Sequence, residues 1–195
     1  MMKTLRQFAM WALIAAPQAA VASPPAQVAP PATAVDGRFE AMLQSLDVVP
    51  PSRAAFLVAF PDAPDRLVRV ARDVTRDAWT RLRALSMLSF FPTPATADAL
   101  TRLTQDGAPA IRGEAVLTLG RVFGGVVGAA ADPVLAAVSR GLRDAVPEVR
   151  EKAIRALRWC HDDRAVGLLA EARRDGGMRP LVDATSARRA RLLGR

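Results

Sequence analysis

The residues best equipped for chemistry are Cys160, His161 and Asp162, a nucleophile, a base and an acid in direct succession. Such a set would suit nucleophilic catalysis, in which a base activates the thiol and an acid orients the base. The spacing argues otherwise. Neighbours on a helix point about 100° apart, so consecutive Cys and His side chains cannot converge on one substrate. The triplet also separates two apolar helical segments, where Asp163 reads as the N-cap of the second. Cys160 is the only cysteine and His161 the only histidine. An intramolecular disulfide, a cysteine cluster and any metal site needing two histidines are therefore excluded. The carboxylate pairs Asp62/Asp65 and Asp162/Asp163 have the groups for acid–base work, but they sit beside Pro or Arg at turns, where capping is the simpler role. Gly124-Gly125 and Gly176-Gly177 lack the strand, Lys and Ser/Thr context of a phosphate loop. No catalytic, cofactor or metal site is expected.

Charge is the next candidate for function. The formal net charge is +8, carried almost wholly by arginine, since Lys occurs only at positions 3 and 152. From Arg173 to Arg195, seven arginines (173, 174, 179, 188, 189, 191 and 195) stand against Asp175 and Asp183. An array of this kind can grip nucleic acid. No aromatic residue is interleaved to stack a base, and the N-terminus directs the chain away from the cytoplasm, so the sequence argues against that partner. A solvated capping helix and attraction to an anionic envelope surface both remain open. Trp79, near the start of a helical segment, and Trp159, near the end of another, are read as core filler or as partner anchors.

The elements that would position these residues begin with an export signal. Lys3 and Arg6 precede the apolar run from Phe8 to Ala16, then Pro17 and the small residues Ala20-Val21-Ala22. This is the pattern of a secretory signal peptide over residues 1–22, with cleavage after Ala22. An uncleaved anchor is the alternative, but the run falls well short of the ~20 residues needed to span a bilayer. Residues 23–37, with Pro24, Pro25, Pro30 and Pro31, read as a semi-extended linker. Residues 38–63 read as N-terminal capping helices, with Phe39, Met42, Leu43 and Leu46 recurring at helical spacing.

Residues 64–195 carry an internal repeat. Pro109-Ala110-Ile111-Arg112, Pro147-Glu148-Val149-Arg150 and Pro180-Leu181-Val182-Asp183 open three segments that align without gaps through Val116, Ile154 and Ala187. A fourth from Ala78 keeps Arg81, Ala84, Leu85 and Leu88. Pro suits a first helical turn, and the aliphatic and Ala positions form one apolar stripe. Each segment follows another amphipathic stretch, at 64–73, 96–105, 133–143 and 163–174. Asp106 precedes Arg112 by six residues, and Asp144 precedes Arg150 by the same interval. The step from Arg112 to Arg150 is lengthened by the Gly/Ala-rich insertion at 124–130, read as a flexible loop or a close-packing turn.

Helix, turn and helix at this recurrence resembles the HEAT-repeat family, and in particular the short bacterial HEAT-like units of phycobilisome lyase type. The resemblance implies an all-α fold, an α-solenoid of about four helical hairpins with atypical end units. It implies an inter-repeat ladder through Asp106, Arg112, Asp144 and Arg150. It also implies a protein-binding or scaffolding module that is not an enzyme, acting in the periplasm or outside the cell. Exposed residues of the second helices, namely Glu114, Thr118, Arg121, Glu151, Arg155 and Arg158, are the expected partner contacts. A bilin-lyase-like chaperone, an accessory subunit and a binder of an anionic envelope surface are the other roles open to such a chain.

Overall fold

A computed structural model describes residues 32–45 and 52–194. The expected signal peptide, the linker up to Pro31, Leu46 and Arg195 lie outside the described residues. Among those described there are ten α-helices and no strand: α1 (Ala32–Gln44), α2 (Arg53–Ala59), α3 (Ala63–Arg72), α4 (Ala78–Met87), α5 (Pro94–Leu103), α6 (Pro109–Phe123), α7 (Asp132–Leu142), α8 (Pro147–Ala156), α9 (Arg164–Ala172) and α10 (Arg179–Leu192). Single 3-10 turns prolong α4 over Leu88–Phe90 and α8 over Leu157–Trp159. No described helix is long and apolar enough to cross a membrane.

The helix starts follow local chemistry. Pro occupies the first or second position of α3, α5, α6, α7, α8 and α10, where an amide has no intrahelical acceptor to lose. The Ser52, Asp77 and Thr93 side chains accept from the amides of Ala55, Thr80 and Thr96, capping α2, α4 and α5. Asp163 was expected to cap α9, but its side chain makes no cap hydrogen bond. Asp162 takes that place: its Oδ1 accepts from the Arg164 amide at 3.0 Å, because the chain turns one residue earlier than the capping pattern suggested.

Packing joins each odd-numbered helix from α3 to its successor, giving the pairs α3/α4, α5/α6, α7/α8 and α9/α10. The second helices meet in chain order, α4 on α6, α6 on α8 and α8 on α10. One apolar core runs between them, with Leu67, Leu85, Leu100, Ile111, Leu119 and Leu157 fully enclosed. At the N-terminal end α1 lies on α4 and buries Phe39, Met42 and Leu43. Phe56 packs among Phe60, Phe90 and Phe91 with ring centroids 5.2 to 6.1 Å apart. Among the described residues α1 and α2 fall in the region read as capping helices, but α1 starts at Ala32, inside the segment read as linker. The prolines that bar a helix end at Pro31, so nothing after it prevents helix formation.

The Gly/Ala-rich insertion is a close-packing turn. The Gly124 carbonyl accepts from the His161 amide at 2.8 Å. Asp162 Oδ2 accepts from the Gly128 amide at 2.9 Å, and Arg164 donates to the Gly128 carbonyl at 2.7 Å. A Cβ on Gly124 would lie 2.7 Å from the Trp159 carbonyl oxygen, so only glycine lets the two turns approach this closely.

Candidate functional site

Along the turns of the helix pairs runs a series of aspartates and second-helix arginines. Asp73, Asp106, Asp144 and Asp175 each accept from the backbone amide two residues on, at 2.9 to 3.1 Å. This Asx geometry fixes each turn and leaves a carboxylate oxygen for a neighbour. Arg112 uses it fully. Its Nε and Nη2 donate to Asp144 at 2.8 and 3.0 Å, while Nη1 donates to the carbonyls of Asp106 and Gly107 at 2.9 and 3.1 Å. One guanidinium therefore ties its own turn to the next, with a bidentate fork on the far carboxylate.

The neighbouring rungs vary this theme. Arg81 pairs with Asp106 and donates from Nε to the Ala71 carbonyl at 3.0 Å, with both charged side chains almost wholly buried. Arg150 reaches the carbonyls of Asp144 and Ala145 at 3.0 and 3.1 Å, but approaches Asp175 only to 3.8 Å. The four ladder residues named from the sequence thus all take part, each arginine reaching forward to the carboxylate of the following turn. Asp73 and Asp175 escape a search at the six-residue offset, because the turn length varies around them. An aspartate at the close of each first helix is the signal that finds both.

Electrostatics follow the contacts. Hydrogen bonds from Arg112 hold the Asp144 carboxyl below the usual carboxylate range, and the same bonds raise Arg112. At the opposite turns, Arg164 holds Asp162 well below its ordinary value, aided by the amides of Arg164 and Gly128. Burial pushes the Cys160 thiol up to about 11, so Cys160 is a thiol at neutral pH with no thiolate character to lend a nucleophile. Its Sγ contacts the Ala156 carbonyl within α8 at 3.7 Å. Among the described residues no group of three or more His, Cys, Asp or Glu is arranged to hold a metal ion.

The expected partner contacts divide. Arg121 and Arg155 are exposed, Glu151 is half-buried, and Glu151 and Arg155 pair along α8 at 3.0 Å. Glu114 spans to Lys152 of α8 at 2.8 Å, so it joins two helices. Thr118 is a correction: it is fully buried, because α6 packs against α4, α5, α7 and α8 and keeps only a narrow outward stripe through Glu114, Leu117 and Arg121. Arg158 is half-buried, with its guanidinium 3.7 Å from the Trp159 ring centroid. Trp79 is half-exposed on α4.

The C-terminal arginines also divide. Arg188 and Arg191 are exposed. Arg189 is buried: Nε donates to the Cys160 carbonyl at 2.9 Å, and Nη2 donates to those of His161 and Asp162 at 3.3 and 3.1 Å. It belongs to the fold and is no part of a solvated patch. Its spacing from Val182 and Thr185, both buried, was the sequence signal for this.

Comparison with protein-family models, curated proteins and solved structures gives no match.

Proposed function

We propose that this chain is an exported HEAT-like protein whose helix pairs form a short α-solenoid, and that it acts as a non-enzymatic protein-binding or scaffolding module. The observation that carries this reading is the recurrence of one joint. Three times a second-helix arginine binds a backbone carbonyl at the end of its first helix or in its own turn and faces the carboxylate of the next turn, with α4, α6, α8 and α10 in series. A joint that repeats with each pair in register presents equivalent outward residues as one row, a surface suited to an extended segment of another protein. Arg121, Glu151, Arg155 and Arg158 are the members of that row open to a partner. Export is inferred from the N-terminal pattern and places the partner in the periplasm or beyond the cell.

A photo-crosslinking residue at Arg155, compared with one at the exposed Val166 of α9, tests the surface in cells that make the protein. A discrete adduct from position 155 and none from 166 supports the reading; adducts of equal pattern from both, or from 166 alone, contradict it. N-terminal sequencing of mature protein tests export, with Ser23 expected first and an intact Met1 contradicting it.

A further inference from the structure

Many arginines of the described chain are committed. Arg66, Arg76, Arg81, Arg112, Arg164 and Arg189, for example, each meet a carboxylate or backbone carbonyl. Others, such as Arg102, Arg179 and Arg191, stand singly without a carboxylate partner. Three arginines near one end of the row differ: Arg121 on the last turn of α6, Arg158 on the 3-10 turn after α8, and Arg188 on α10. That 3-10 turn packs on both α6 and α10, and Arg158 lies close enough to Arg121 and Arg188 to feel their charges. Among the described residues no carboxylate pairs with any of them.

Arg158 is the centre of the group. Its plane is held over the Trp159 ring, and its Nε is shut off from solvent without a hydrogen-bond acceptor. An enclosed guanidinium nitrogen without a partner is costly, and like charges beside it add to the cost. Burial and the charges of Arg188 and Arg121 all act against its protonated form, and no carboxylate offsets them. An incoming anion cannot reach the enclosed Nε, but at the outer edge of the guanidinium it would offset the like charges of Arg121 and Arg188. The clamped guanidinium offers the rigid fork that suits a carboxylate, with less side-chain freedom to lose than an unsupported arginine.

We propose that Arg121, Arg158 and Arg188 form a docking site for carboxylate side chains of an acidic protein segment. The proposal rests on the protein-binding reading above and names the partner's chemistry. A polypeptide is favoured over nucleic acid because the Trp159 face is already taken by Arg158 and cannot stack a base.

The test uses the mature chain, a fluorescein-labelled hexaglutamate peptide as probe, and (dT)12 and inorganic phosphate as competitors at physiological salt. Arg158→Gln and the double change Arg121→Gln/Arg188→Gln are each expected to weaken peptide binding about tenfold or more. The control double change Arg143→Gln/Arg173→Gln removes the same charge at exposed, already paired sites and is expected to leave binding within about twofold. Arg158→Lys keeps the charge but loses the fork, so it is expected to bind weakly with an unchanged circular dichroism spectrum. Equal losses in the control, no peptide binding by the parent protein, or stronger binding of (dT)12 with the same dependence on Arg158 would each overturn the proposal. An adduct from position 155 that persists in Arg158→Gln would retain the protein-binding reading while the acidic site fails.

Discussion

The joint between α6 and α8 and the joint between α8 and α10 hold equivalent helices together by opposite means. At the first, side chains are removed. A Cβ on Gly120 would lie 2.7 Å from the Ala156 Cβ, and one on Gly113 would lie 2.9 Å from the Lys152 Cδ. The backbones close, and the bidentate Arg112–Asp144 pair locks the turns above them. At the second joint no glycine approaches α8. Gly167 and Gly176 have open space where a Cβ would stand. A long side chain, Arg189, is instead threaded from α10 into the turn after α8, and the ladder contact there is a 3.8 Å approach to a half-exposed Asp175. Close backbone packing spreads adhesion over a whole helix, whereas a threaded arginine concentrates it on one residue. The C-terminal pair should therefore be the part of the molecule that opens first.

Breaking the rung at the tight joint has the largest expected effect. Asp144→Ala removes the fork acceptor of Arg112 and the cap of the Val146 amide, and leaves a largely enclosed guanidinium unpaired. The expected loss is about 3 kcal/mol, read from the urea midpoint. The pH dependence has a defined sign. The folded Asp144 carboxyl lies below its unfolded value, so its contribution is complete above the ordinary carboxylate pKa of about 3.9 and disappears as pH falls through the folded value. The stability gap between the parent and Asp144→Asn should be full at neutral pH and narrow in acid.

Next in size is Arg189→Met, which leaves the carbonyls of Cys160, His161 and Asp162 without that donor. It is expected to cost about 2.5 kcal/mol and to expose α10 to limited proteolysis while α6 and α8 stay resistant. Gly120→Ala follows, at about 1.5 kcal/mol, because overpacking against Ala156 outweighs the better helix propensity of alanine. A thermal melt reads this change. Asp175→Ala comes last, at under about 1 kcal/mol, since a half-exposed, distant ion pair adds little. A large effect from Asp175→Ala would mean that the two joints are held alike.

Much of this comparison was legible in the residues. The Pro-x-aliphatic-Arg openings of α6 and α8 mark the second helices, and the family resemblance points to Asp106, Arg112, Asp144 and Arg150 as ladder members. The arrangement of α10 was less so. Counting arginines suggested a solvated patch, but Arg189 lies in register with Val182 and Thr185 and turns inward, leaving Arg188 and Arg191 outside. Charge density cannot separate such neighbours, whereas helical periodicity can. Thr118 failed for a related reason: α6 is packed on several sides, so a polar residue on it does not mark an outer face. The grouping of Arg121, Arg158 and Arg188 depends on three helix ends meeting, and no local pattern encodes it.

Native-state hydrogen exchange, resolved by residue, tests the unequal joints most directly. Amides of α9 and α10 should exchange through an opening of lower free energy than those of α6 and α8, and Arg189→Met should lower the first group while leaving the second unchanged. Exchange of all four helices at one common free energy, shifted together by Arg189→Met, would contradict the account.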